Sequence, residues 1–263
     1  MPSSPLNIAI ILAGGIGCRA AQNPALPPEQ DQPKQLWPLG GLPVWQHSWL
    51  SYATHPAIQI VCLVWPENYV SQIRQALTQY TQTQHPDADT LATSYVIAGG
   101  RERSDSSSKA LEFSQQWQER DPQRRIQVLI HDAARPLVSR RIIDETLRQL
   151  KLANAAVCAI PAQDSLFVKE DSEGCKVGQV LDRSTVMQSQ TPQSFELQTL
   201  RRAFAIHQEH REIAVTDDIC LIKSYLPSQD IRVVEGDIYN MKLTQAADLK
   251  TLTSYYQMIT TQQ

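Results

Sequence analysis

No part of the sequence approaches the ~20 consecutive apolar residues that a membrane-spanning helix needs, and Met1 is followed by a short polar lead without a basic segment. The expectation is a soluble, cytoplasmic protein with no membrane partner. An excess of positive charge is also missing. Lys and Arg total 24 against 27 Asp and Glu, giving a net charge of -3 and a pI near 6.1. That balance argues against nucleic acid as a partner, whereas a small anionic substrate needs only a few local cations. Paired cysteine spacings are absent too. Cys18, Cys62, Cys158, Cys175 and Cys220 are odd in number and scattered, so reduced thiols are the default and no metal ligand is assigned. No composition break and no repeat of diagnostic period divides the 263 residues, which read as a single domain, 1–263.

What is present starts with Asn7 to Lys34. Ile8 to Leu12 is an apolar run without polar alternation, the pattern of a strand buried on both faces of a parallel sheet. It empties into Gly14, Gly15 and Gly17, which leave backbone N–H groups bare for phosphate oxygens. Arg19 follows, and Lys34 lies beyond a polar, proline-bearing loop over residues 21 to 32. A tight turn is the plain alternative. The Gly-Lys-Ser/Thr ending of a Walker loop is missing, and Ala20 stands where a dinucleotide fingerprint has its third glycine. The two cations tilt the reading towards a polyphosphate grip.

Along the chain, helical spacing covers 43–53 and 67–80, strands are expected at 58–65 and 95–98, and a loop at 85–93. Gly99-Gly100 then opens a helix at Arg101 to Ser106, either as a capped start with solvated charges or as backbone that reads a base edge beside Ser106. The strand Ile126 to Ile130 runs into His131-Asp132-Ala133-Ala134-Arg135-Pro136. Ligands of doubly wound sheets bind at strand carboxyl ends. Asp132 is placed to orient a substrate hydroxyl or a metal-bound water, and Arg135 to hold an anion, unless the two merely tie a turn. His131 reads as packed rather than catalytic, because no nucleophile elbow accompanies it. After a helix at 139–152 and a strand at 155–160, residues 161–192 read as a projecting β-arm around the turn Asp171 to Gly174. An arm with little core of its own wants a partner surface, and a twofold homodimer supplies one. Helices at 196–210, 217–225 and 244–258 and a strand at 231–235 complete the chain.

The motifs Leu12 to Arg19, Pro33-Lys34-Gln35, Gly99 to Ser106, Val128 to Pro136, Asp182-Arg183, Gln190 to Gln193, Thr216-Asp217-Asp218 and Asn240 to Thr244 occur in one order from end to end. In that order they resemble the 2-C-methyl-D-erythritol 4-phosphate cytidylyltransferases of the non-mevalonate isoprenoid route. The resemblance implies a Rossmann-like three-layer αβα fold with a mostly parallel sheet, and a homodimer made through the arm. It implies transfer of CMP from CTP to the acceptor phosphate with release of pyrophosphate. Mg²⁺, or another divalent cation, would be held mainly by the CTP phosphates. By residue match, Arg19 and Lys34 would stabilise the transition state, while Arg183 and Lys242 would position the acceptor. Ala13, Gly14, Gly15, Gly17, Gly100, Ser106 and Ala133 would hold the nucleotide. Asp132, Arg135, Ser165 and Thr191 would line the acceptor pocket, Ser165 and Arg183 reaching in from the neighbouring subunit. Departures fall mainly on the loop and the arm: a longer stretch between Arg19 and Lys34, Ser165 for a threonine, and Phe167 for a lysine.

Two other readings share these residues. One is a cytidylyltransferase for ribitol 5-phosphate or a related alditol phosphate, separated from the first only through the arm. The other is a nucleotide-binding protein without chemistry, opposed by the joint presence of Arg19, Lys34, Asp132, Arg183 and Lys242. A dehydrogenase is excluded by the lack of an acidic residue at the ~20-residue spacing its ribose contact needs.

Overall fold

The computed structural model describes residues 4–14, 32–84, 91–170, 174, 176–210 and 215–261. Strand β1 (Leu6–Leu12) is buried along its whole length. It pairs in parallel with β6 (Ile126–Asp132) on one side and β4 (Ile60–Trp65) on the other, and β4 carries β5 (Thr93–Ala98) as the edge. Beyond β6 lie β10 (Met187–Glu196), β7 (Ala155–Pro161) and β11 (Ile231–Glu235), completing a seven-stranded sheet in the order β11-β7-β10-β6-β1-β4-β5. Only β10 runs antiparallel to its neighbours.

The unbroken apolar run of β1 has a simple cause. Successive side chains point to opposite faces, and both faces are covered. Ile8, Ile10 and Leu12 join α3 (Arg103–Arg120), α5 (Leu197–His210) and α6 (Asp218–Tyr225) in one core, while Ala9, Ile11 and Ala13 join α1 (Val44–Ala53), α2 (Val70–Gln84) and α4 (Arg140–Gln149) in the other. Four tryptophans, Trp37, Trp45, Trp49 and Trp65, are fully buried. The αβα layering expected from the sequence is therefore present.

A third, smaller core lies outside these layers. Trp37, Leu39 and Val44 meet Ala134, Leu243 and Leu252, with Tyr256 of α7 (Asp248–Thr261) packed alongside. Gly40, in the turn between the short strands β2 (Pro38–Leu39) and β3 (Leu42–Pro43), has φ +55°, and any Cβ there would strike the Tyr256 ring. This core fastens the segment after Lys34 to the segment after Lys242.

The arm needs a corrected boundary. Residues 187–192 belong to β10 inside the main sheet, not to the projection. What projects is the separate two-stranded pair β8 (Leu166–Lys169) and β9 (Val177–Leu181), closed at its neck where Ala162 N–H donates to Val186 O at 3.0 Å. The last helix also starts later than its periodicity predicts, at Asp248, because the Asp248 carboxylate caps the backbone N–H groups of Thr244 and Gln245. Residues 85–90 of the expected loop lie outside the described residues.

Candidate active site

The carboxyl ends of β1, β5 and β6 bring two glycine loops and one acidic turn together. Gly15, Gly17 and Arg19, and nearly all of the loop at 21 to 32, lie outside the described residues. Gly14 is described, and a Cβ on it would stand 3.3 Å from Ser106 Oγ, so Gly14 lies directly against the start of α3. Ala13 and Ala133 extend the sheet ladder: Ala13 N–H donates to Val64 O at 2.8 Å and Ala133 N–H to Leu12 O at 2.9 Å. Their contribution at this edge is small bulk rather than free donors.

Ser106 is buried and already employed. Its hydroxyl accepts from Gly100 N–H at 3.1 Å and donates to Glu102 O at 3.1 Å. Gly100 itself leaves no space, since a Cβ would overlap Asp105. A reciprocal box between Glu102 and Asp105 starts α3, with Glu102 N–H donating to Asp105 Oδ2 at 3.1 Å. Of the two sequence readings of this stretch, the capped helix start is the one present. The helix start is capped, and the cap shapes the glycine loop.

Asp132, at the end of β6, collects three cations. Lys242 Nζ lies 2.7 Å from Oδ2, Arg103 Nε 3.7 Å from Oδ1 and Arg135 Nε 3.9 Å from Oδ2. Burial works to raise the carboxyl pKa, but Lys242, then Arg103 and Arg135, outweigh it and hold it well below the usual carboxylate range. Asp132 is ionised at neutral pH, and the cations exceed it in number. Arg135 Nε is buried and makes no hydrogen bond among the described residues, its charge meeting Asp132 at 3.9 Å.

Arg103 was not singled out by the sequence reading. It also meets the buried Asp218 at 2.8 Å. Burial opposes its charge, yet Asp218 and Asp132 more than compensate and raise its pKa. The usable signal was the pairing of Arg103 after Gly99-Gly100 with the Asp217-Asp218 doublet, a contact across more than a hundred residues that no local pattern carries.

Thr191 faces inward. Its Oγ accepts from Asp132 N–H at 3.1 Å and lies 3.0 Å from His131 Nδ1, while His131 Nε2 lies 3.0 Å from Arg135 O. A carbonyl can only accept, so Nε2 carries the proton and Nδ1 accepts from the threonine hydroxyl. Burial lowers the His131 pKa to about 4, which keeps the ring neutral. The histidine is a brace for the turn, as its packed reading anticipated. Ser48 Oγ adds bonds to Ala133 O and Arg135 O.

Lys34 is brought to the same edge. Its Nζ donates to Thr244 O at 3.4 Å, and the neighbouring Gln35 Nε2 donates to Ala13 O at 3.2 Å. Lys34, Lys242 and the glycine loop are thus linked within a few residues. Ser165 and Arg183 are different: both are exposed, Arg183 bonds only to Gln163 O of the arm base at 3.2 Å, and neither contacts Asp132, Arg135 or Lys242 among the described residues.

Residues 7–257 match the family model described as IspD, 2-C-methyl-D-erythritol 4-phosphate cytidylyltransferase. The chain is 31% identical to the enzyme of that name from Thermobifida fusca, over 93% of this chain and 91% of that protein. It is also 31% identical to the bifunctional ribulose 5-phosphate reductase/CDP-ribitol pyrophosphorylase Bcs1 of Haemophilus influenzae, over 92% of this chain but 46% of that one. A solved structure of 4-diphosphocytidyl-2C-methyl-D-erythritol synthase from Anaerococcus prevotii superposes with a TM-score of 0.76 at 22% identity, covering 96% of each chain, so the fold is shared. An ordered motif set, a site built at the expected strand ends and a family match over nearly the whole length agree: the chain belongs to the 2-C-methyl-D-erythritol 4-phosphate cytidylyltransferase family.

Proposed function

We propose that this protein transfers CMP from CTP to 2-C-methyl-D-erythritol 4-phosphate, giving 4-diphosphocytidyl-2-C-methyl-D-erythritol and pyrophosphate. The observation that carries the reading is the gathering of Lys242, Arg103 and Arg135 on Asp132, beside the paired glycine loops of Gly14 and Gly100. An oxygen of the acceptor phosphate attacks the α-phosphorus of CTP. The bond from that phosphorus to the bridging oxygen breaks, and its electron pair leaves with pyrophosphate. The acceptor phosphate is already anionic, so the protein's work is alignment and charge. Lys34, with Arg19, meets the charge developing on the triphosphate. Lys242 and Arg135 hold the acceptor phosphate, and Asp132 takes an acceptor hydroxyl. Gly14, Gly100 and Ser106 shape the nucleotide's seat, with Gly15 and Gly17.

A divalent cation, Mg²⁺ or another, belongs to this reading. Among the described residues no group of three or more His, Cys, Asp or Glu side chains is placed to ligate it, and Asp132 is taken up by its cations. In this reading the CTP phosphates would hold the ion, and it would help to neutralise the leaving pyrophosphate.

A homodimer formed through β8 and β9 completes the site, with Ser165 and Arg183 reaching the acceptor of the neighbouring subunit. The support is the arm's uncovered apolar surface: Phe167 is 54% and Val180 68% exposed, and they pair directly across the hairpin. A cytoplasmic location fits the absence, among the described residues, of any helix long and apolar enough to cross a membrane. The likeness to Bcs1 favours one second reading, ribitol 5-phosphate as acceptor. Pyrophosphate release from CTP and Mg²⁺, with the two acceptors side by side, decides between them. Turnover with methylerythritol phosphate is expected; turnover with ribitol 5-phosphate alone would move the substrate and keep the chemistry.

A further inference from the structure

Arg135 and Lys242 come from different loops, and a buried pair of amides joins those loops. Strand β10 shifts register between Ser189 and Gln193, a bulge that turns Gln190 and Thr191 away from the ladder. The turn after β11 runs through Gly236 and Asn240 to Lys242. Gln190 and Asn240 are both buried, Asn240 completely. Gln190 Nε2 donates to Asp237 O at 2.8 Å, and its Oε1 accepts from Asp237 N–H at 3.3 Å and from Asn240 Nδ2 at 3.2 Å. Asn240 Nδ2 also donates to Thr191 O at 2.8 Å, while Asn240 O accepts from Arg135 Nη1 at 2.8 Å. Gly236 makes the space, because a Cβ there would come within 2.5 Å of Gln190 Oε1.

Asn240 therefore bonds to Arg135 from its backbone and to the Thr191 bulge from its side chain, and Lys242 follows two residues later. Apolar residues could fill the same volume at lower desolvation cost, but they would not fix the two loops in register. We propose that Asn240 and Gln190 are positioning residues that set Arg135 and Lys242 at a fixed separation for the acceptor phosphate without touching it themselves. The inference rests on the proposed cytidylyltransferase reading.

The test is Asn240→Asp in the full chain, assayed at saturating CTP with methylerythritol phosphate varied, then with the two roles exchanged, and accompanied by a thermal midpoint. The substitution keeps the volume and removes the donor to Thr191 O and Gln190 Oε1. A loss of about 10- to 100-fold in kcat/KM for the acceptor, with KM for CTP within about twofold, is the expected result. An unchanged acceptor kcat/KM, or equal losses for both substrates tracking a lowered midpoint, would overturn it. If Asn240→Asp does not fold, Gln190→Met, which keeps the length and drops the bonds to Asp237, carries the same expectation. Silence of the unsubstituted protein with both acceptors would instead remove the functional reading, and the positioning role with it.

Discussion

Lys242 Nζ and Asp132 Oδ2 stand 2.7 Å apart, yet the pair is lopsided: the lysine side chain is 42% exposed and the aspartate 11%. The carboxylate is held in the fold at the end of β6, whereas the ammonium is open to solvent. Removing it in Lys242→Ala should lower turnover by roughly 10²- to 10³-fold. The variant has a second signature. Asp132 has a folded pKa depressed below its unfolded value, so its stabilising contribution is present above about pH 4 and is lost as pH falls. Without its strongest partner the folded pKa rises toward the unfolded value, so less stability is present above about pH 4 and less is lost below it. Thermal midpoints from roughly pH 2 to 7 check this: the variant's curve should fall less steeply below about pH 4, and curves of equal slope would contradict the ion pair.

His131 gives a separate pH signature. Its folded pKa of about 4 lies below the ordinary 6.5. Between those values the unfolded chain binds a proton that the folded chain refuses, so stability falls as pH drops through that window. Replacing it in His131→Gln should flatten the midpoint-against-pH curve between about pH 4 and 6.5 relative to the parent. Parallel curves would mean that the ring is not buried neutral.

Gly100→Ala should weaken CTP selectively. The added methyl group overlaps Asp105, so the glycine loop or the start of α3 must shift. Overpacking of this kind costs about 1–3 kcal/mol, and its expression as nucleotide affinity is a rise of roughly 5- to 150-fold in KM for CTP with acceptor KM little changed. Isothermal titration with CTP provides the direct measurement; equal affinity would free Gly100 of the role.

The arm supplies a prediction about association. Val180→Asp places a charge directly opposite Phe167 on the exposed hairpin. Sedimentation over a range of concentrations should show a dimer in the parent and a monomer in the variant, with activity falling in step because Ser165 and Arg183 lose their neighbour. A parent that is monomeric throughout would end the arm's assembly role.

The parallel strands were legible because burial on both faces leaves apolar runs: Ile8 to Leu12, Ile58 to Trp65 and Ile126 to Ile130 each read as strands from residue type alone, the second starting at Ile60 in the fold. Strand β10 was not. Its first six residues, Met187 to Pro192, are mostly polar and end in a proline that cannot donate to a ladder, so they resemble a continuation of the arm. They are tolerated in the sheet because Gln190 and Thr191 find hydrogen-bond partners, Gln190 Nε2 for instance donating to Asp237 O at 2.8 Å. Such satisfaction is a property of the assembled fold. The same holds at the site. Asp132, Arg135 and Lys242 were visible at strand ends, whereas Arg103 and the inward hydroxyl of Thr191 depend on contacts between distant segments.

The small core of Trp37, Leu39, Ala134, Leu243 and Leu252 sets a timetable for synthesis. It fastens the Lys34 segment to the Lys242 segment, so a growing chain carries the first of these long before the second exists. At translation rates of about 5–20 residues per second the interval is on the order of ten seconds or more. During that time Trp37 and Leu39 have no Leu243 or Leu252 to bury against. A nascent chain thus carries an uncovered apolar patch at Trp37 and Leu39 until one late event, the arrival of Leu243 and the docking of α7, covers it.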